Sequence, residues 1–212
     1  GIVVAANNHA GGLVGINLSG SISGCHASGA VTAGNDVGGL VGENTASISL
    51  SYATGAVTGS YTEIGGFAGL NSGTITLSYA TGSATRTGTG TNTDNVGGFV
   101  GFCDGGTITN CYARGSASGF GSIGGFAGRL NNSSVSYCYS TGLVTGTNYA
   151  GGLVGYIDNG TAPSYCYYDQ QTSGGWADSN GTPTTTANMK LQVTFTGWDF
   201  AGETVNGTNN YW

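Results

Sequence analysis

Charge is what this sequence has least of. Only 7% of its 212 residues are Asp, Glu, Lys or Arg, against roughly 25% in an ordinary soluble domain. The cations are Arg86, Arg114, Arg129 and Lys190, set against ten acids, for a formal net charge of -6. Four cations cannot build the basic patch that phosphate backbones require, so nucleic acid is not an expected partner, and anionic membrane surfaces are disfavoured for the same reason. No run of about 18 apolar residues occurs, so no transmembrane helix is expected. A secretory leader is lacking too. Gly1 opens in mid-repeat, with residues 2–10 resembling the last third of a coil, and the chain reads as a piece of a longer secreted protein. HExxH, GxSxG and P-loop motifs are missing, and with them the catalytic chemistry those motifs carry. The acids occupy different repeat positions, mostly turns, rather than the facing pair that a polysaccharide hydrolase needs. The sequence therefore predicts no enzyme.

Glycine is abundant, at 43 residues, and it is ordered into a phrase, GG[L/F][V/A]G, that occurs six times. The copies start at Gly11, Gly38, Gly65, Gly97, Gly124 and Gly151, at spacings of 27, 27, 32, 27 and 27 residues. A chain poor in charge and in apolar residues is often disordered, but a fixed period of this size marks a solenoid, whose thin coils need only a narrow core. Glycine at the first and last places of the phrase is expected to turn the chain with a positive φ. The Leu or Phe at the third place (Leu13, Leu40, Phe67, Phe99, Phe126, Leu153) is expected to plug the interior, each burial contributing roughly 1.5–3 kcal/mol.

Three further segments complete each coil. A polar turn follows the phrase, with Asn17, Asn44, Asn71 and, one place later, Asn131. A short segment then carries one apolar residue: Ile22, Ile48, Ile75, Ile108 or Val135. The most regular stretch comes last: CHASGAVT at residues 25–32, SYATGAVT at 51–58, SYATGSAT at 78–85, CYARGSAS at 111–118 and CYSTGLVT at 138–145. It alternates with period two, as a strand does. One face carries Cys or Ser, then Ala or Ser, Gly, and Val or Ala, small enough for a thin interior. The other carries His26, Tyr52, Tyr79, Tyr112 and Tyr139; then Ser28, Thr54, Thr81, Arg114 and Thr141; then an Ala/Ser/Leu column; then Thr32, Thr58, Thr85, Ser118 and Thr145. These are expected to face outward.

The expected fold is all-β: a right-handed parallel β-helix of about six coils, roughly triangular with three strands per coil. Coils would occupy residues 1–168 and a C-terminal capping segment residues 169–212. The five extra residues of the third interval fall in 85–95, Thr- and Gly-rich and expected to form a protruding loop. In the last segment, Thr185 or Thr186 is placed to cap a short helix through Met189 and Leu191. Phe195, Trp198 and Phe200 are expected to close the end of the rod.

The repeated phrase, the C/S-Y-A/S-T-G-x-V-T stretch and the closing YYDQQTSG, TTANMK and FTGWDF together resemble the GLUG-repeat proteins. The resemblance spans residues 11–200. It implies a β-helical stalk or display module of large secreted surface proteins, such as filamentous-haemagglutinin-like adhesins and the non-catalytic parts of some immunoglobulin A peptidases. It carries over no catalytic residue.

Several outward and inward columns remain as candidates. Tyr52, Tyr79, Tyr112, Tyr139 and Tyr167 form an aromatic column that either binds sugar rings or a partner or simply stacks. The Thr columns (Thr54, Thr81, Thr141 and Thr32, Thr58, Thr85, Thr145) make an uncharged array of the kind that orders water in ice-binding solenoids, broken at Arg114 and Leu143; Thr is also simply a good strand former. Cys111, Cys138 and Cys166 share one inward column with Cys25, which faces Ser51. On successive coils they are either a ladder of thiols exchangeable with Ser or admit one bridge, Cys111–Cys138 or Cys138–Cys166 but not both. Their spacing is not that of metal ligands. Asp104-Gly105-Gly106 and Asp158-Asn159-Gly160 read as turns, with bound calcium as the alternative; no other cofactor is expected. The leading function is a non-enzymatic extracellular structural or adhesive module at the cell surface. Its partners would be glycans, a host or neighbouring-cell surface, or itself end to end. An ice-binding protein and a carbohydrate-binding or carbohydrate-active β-helix are the alternatives.

Overall fold

The computed structural model describes residues 1–6, 8–88, 94–176, 180–202 and 211–212. Nearly every backbone amide of the rod looks to the neighbouring coil, because segments as short as these cannot close hydrogen bonds within themselves. All strand pairs are parallel, and each joins a strand to its equivalent one coil away. The fold is an all-β parallel solenoid of about six turns. Among the described residues no helix is long and apolar enough to cross a membrane.

Each coil contributes five short strands to five sheets, not three. In the second coil these are Val37–Gly38, Val41–Asn44, Ser47–Ser49, Tyr52–Ala53 and Val57–Gly59. The regular eight-residue stretch is therefore two strands, bent at Gly55 and its equivalents. Its alternation nevertheless survives the bend: Ala53, Gly55 and Val57 are buried, and Tyr52, Thr54 and Thr58 are not. Period two describes which side a residue faces, not how far one strand runs.

The chain bends within the phrase, at Gly39 and Leu40 and their equivalents, but not through a positive φ. None of the phrase glycines is among the residues of positive φ; crowding explains them instead. A Cβ on Gly38 would lie 2.0 Å from the Val41 carbonyl oxygen, and one on Gly39 would lie 2.1 Å from that of Gly66. One set of left-handed corners falls just before the Cys/Ser column, at Gly24, Leu50, Leu77, Asn110, Tyr137 and Tyr165, and another at His9, Asp36 and Glu63, just before the strand that enters the phrase.

Two inward rows fill the rod. One holds the plugs, Leu40, Phe67, Phe99, Phe126 and Leu153, with Ile48, Ile75, Ile108 and Val135 beside them. Phe67, Phe99 and Phe126 stack ring on ring at 4.7 and 4.9 Å, the spacing of paired strands. The other row packs Val31, Val57, Ala84, Ala117 and Val144 against Val37, Ile64, Val96 and Ile123. Leu13 departs from its five equivalents: it lies in the first coil with no plug above it and is 44% exposed.

Asn17, Asn44 and Asn71 are not turn residues. Each ends a strand and is buried. Asn17 Nδ2 donates to Asn44 Oδ1 at 2.8 Å, and Asn44 Nδ2 to Asn71 Oδ1 at 2.7 Å. An amide offers both donor and acceptor, so stacked copies satisfy each other, and the ladder ends where Cys103 replaces the fourth Asn. Asn131 belongs to a separate, exposed series and donates to Asp104.

The insertion lies where expected, between the register pairs Gly59↔Arg86 and Ile64↔Val96. Its centre, residues 89–93, is outside the described residues. Its feet are pinned: Arg86 donates to the carbonyls of Tyr61 and Gly88, and Asp94 accepts the Phe120 amide.

The C-terminal segment is built differently from expectation. Met189 lies in a single 3-10 turn, Asn188–Lys190, and a second follows at Gln192–Thr194. Thr185 Oγ1 accepts the Asn188 amide, but the residue capping the turn is Ala187, not a threonine. Phe195, Trp198 and Phe200 do not close the end of the rod; they fold onto its flank, against Tyr139 and Tyr167. The end is closed by Tyr168, whose strand Tyr167–Asp169 pairs with Tyr139–Ser140. Tyr168 takes the inward place that Ala53, Ala80, Ala113 and Ser140 hold in other coils, and it is fully buried. One more strand, Thr182–Thr184, pairs beyond it.

Candidate binding face

The aromatic column forms as its spacing requires. His26, Tyr52, Tyr79, Tyr112 and Tyr139 stack in order, with ring centroids 4.8–4.9 Å apart and planes within 9° of parallel. Parallel strands in register leave adjacent rings no other distance. Each of Tyr52, Tyr79 and Tyr112 thereby has both ring faces covered by its neighbours, and these rings present edges and phenolic hydroxyls to solvent. That geometry favours the stacking role over sugar platforms, which need an open ring face. Tyr167 leaves the column: it is buried and meets Phe195 edge-on at 5.1 Å. Burial first, and Tyr112 beside it second, push the Tyr139 hydroxyl up to about 12, so this end of the column stays neutral.

Thr32, Thr58, Thr85, Ser118 and Thr145 lie in register in one sheet. Thr54, Thr81 and Thr141, with Arg114 among them, form a second column on the other side of the bend. The two Thr columns thus lie on either side of the bend and do not make one flat array.

The cysteines are all free, so neither the Cys111–Cys138 nor the Cys138–Cys166 bridge is present. Each thiol of the column instead donates to the carbonyl two residues earlier: Cys111 to Thr109 at 3.2 Å, Cys138 to Ser136 at 3.1 Å and Cys166 to Ser164 at 3.2 Å. Ser51 and Ser78 make the same bond at 2.7 and 2.8 Å. Burial pushes the Cys138 and Cys166 thiols well up.

The acids are scattered, as their repeat positions imply, with one exception. Asp36 and Glu43 approach His9 Nδ1 at 3.3 and 3.2 Å. Burial, reinforced by Glu63 and opposed by His9, raises Asp36 to about 6. Among the described residues no group of three or more His, Cys, Asp and Glu side chains is arranged to hold a metal ion. Asp178 and Glu203 lie outside the described residues.

What the sequence does not disclose is a cleft of about 700 Å³ where the C-terminal segment meets the flank. Arg114, Tyr139 and Thr141 of the coils form one wall, and Lys190, Phe200 and Trp212 are on the other. The signal available in sequence was the single Arg in a Thr column. Its partners sit in the aperiodic segment, where no register links them to it.

Residues 6–32 and 92–118 match the GLUG motif. Both windows run from just before the glycine phrase to the end of a Val-Thr or Ala-Ser strand. No curated protein matches the chain. A solved structure described as a "putative immunoglobulin A1 protease" from Bacteroides ovatus is similar over 82% of this chain and 67% of its own, with a TM-score of 0.58 and 16% identity. At that identity the likeness concerns the fold.

Proposed function

We propose that this GLUG-repeat β-solenoid is a non-enzymatic structural and adhesive module, carried outside the cell as part of a larger surface protein or fibre. The observation that most supports this reading is the stack itself. Strand register runs from coil to coil, giving a rod whose outward columns carry few charges, among them Arg114, and whose inward ones are closed. At the C-terminal end Tyr168 fills the interior, and only the single strand Thr182–Thr184 pairs beyond it. At the other end the inward plug Leu13 is 44% exposed, which supports end-to-end association at that face. A catalytic role has little support: among the described residues the cleft is lined by one carboxylate, Asp169, where glycoside hydrolysis uses two.

The test is an array of glycans and host-matrix proteins combined with solution scattering. The expected outcome is an elongated particle and saturable binding to at least one displayed surface. Turnover of a glycan or peptide by the chain, or a blank array, would count against the reading. The ice-binding alternative retains one observation, the single Thr column at Thr32, Thr58, Thr85, Ser118 and Thr145. Thermal hysteresis lost on Thr58→Tyr would favour it.

A further inference from the structure

Two of the four cations are engaged within the rod. Arg86 is buried, with Nε 2.8 Å from the Tyr61 carbonyl oxygen and its guanidinium 5.5 Å from the Phe120 ring centre. Arg129 pairs with Asp158 and lies over Phe102 at 5.2 Å. The other two, Arg114 and Lys190, come from distant parts of the sequence and line the same cleft. Among the described residues neither lies within ion-pair distance of a carboxylate. The acid that shares the cleft, Asp169, is nearly fully buried and turned to its own loop. Its Oδ1 accepts the amides of Gln171 and Thr172 at 3.0 and 3.3 Å and the Thr186 hydroxyl at 3.0 Å.

The cleft therefore joins two uncompensated cations to an apolar aromatic wall, in a chain whose net charge repels anions elsewhere. Phe200 and Trp212 are part-buried, with surface left to offer, unlike the Tyr column whose faces are covered. The buried Trp212 indole N–H has no acceptor among the described residues. Thr141 and Thr172 add polar groups at the rim. Cations pair with a carboxylate, an aromatic surface packs the C–H face of a pyranose, and hydroxyl and indole groups meet its hydroxyls.

We propose that this cleft binds a carboxylated sugar, with the carboxylate between Arg114 and Lys190 and the ring against Phe200 and Trp212. The proposal deepens the adhesive reading and rests on it for its biological setting. The binding itself is tested apart from that setting.

The experiment is an NMR titration of the whole chain with sialyllactose and with a galacturonic acid trimer, lactose and acetate serving as controls, read at the indole N–H signals. Saturable shifts are expected with at least one acidic sugar, and none at equal concentration with lactose or acetate. Arg114→Thr restores the residue of the neighbouring coils, Thr81 and Thr141, so the fold is retained. That variant and Lys190→Gln should each weaken binding about tenfold, one charge-assisted contact being lost. Equal binding of lactose or acetate would overturn the proposal. So would affinities unchanged in both variants, or no shift with either acidic sugar at millimolar concentration. If the titration fails while the array above still shows a bound surface, the cleft proposal alone falls; a blank array as well removes the adhesive reading with it.

Discussion

Cys138 and Ser51 do the same work in different coils, since each closes the carbonyl two residues before it. Cys138→Ser should therefore change unfolding free energy by less than about 1 kcal/mol, whereas Cys138→Val, which removes the donor, should cost about 1–3 kcal/mol, both measured by urea unfolding. Gly39 obeys the opposite logic. Alanine there would press a methyl group into the Gly66 carbonyl and the Ala53 side chain, and such overpacking costs at least about 1–3 kcal/mol. A Gly39→Ala chain as stable as the parent would refute crowding as the reason for glycine. Asp36 gives a residue-scale pH effect. Its folded value is raised from 3.8 to about 6, so the folded chain holds a proton that the unfolded chain releases. That contribution is complete below about pH 4 and is lost as pH rises through about 6. Acidifying from about pH 7 to about pH 5 should bring a stability gain that Asp36→Asn lacks. His9, Glu43 and Glu63 surround the group, and an identical pH profile in the variant would assign the effect to them.

At the scale of elements, the last strand of the coils, Tyr167–Asp169, carries an exception that ends the repeat. A tyrosine in a column of alanines fills the interior, and beyond it the single strand Thr182–Thr184 pairs rather than a full coil. A Cβ placed on Gly152 would meet the Tyr168 ring at 2.1 Å. Tyr168→Ala opens a cavity over the Leu153 plug, and large-to-small changes of this kind cost about 3–5 kcal/mol. Hydrogen exchange should then quicken chiefly in residues 149–169. The flank segment is an element of another kind: its aromatic side chains, anchored by the Trp198 Nε1–H to the Tyr165 carbonyl at 2.9 Å, turn one end of the tyrosine column into the wall of a cleft.

For the molecule as a whole, each coil contacts only its neighbours, so stability is a sum along one dimension. The first coil has a neighbour on one side only, and its inward plug Leu13 is exposed. Native-state hydrogen exchange should therefore run fastest in residues 1–33 and slowest in the central coils, where both inward rows are fully buried. Uniform exchange along the rod would instead mean all-or-none opening.

The sequence by itself determined the solenoid, the period, the inward plugs and the columns, because each is a consequence of repetition. A residue conserved in place from coil to coil within one chain has a copy of itself as its neighbour, so spacing alone tells what touches what. The same logic held the stacked tyrosines and the Cys/Ser ladder, and it placed the insertion. Tertiary structure decided whatever depended on angle or on an aperiodic partner. The number of sheets follows from bends that period two does not record, and the buried role of Asn17, Asn44 and Asn71 follows from the amides facing one another rather than from their turn propensity. Leu13 differs from Leu40 only through what lies above it. Arg114 gains its place in a cleft only because an aperiodic segment, with no register to announce it, folds back along the flank.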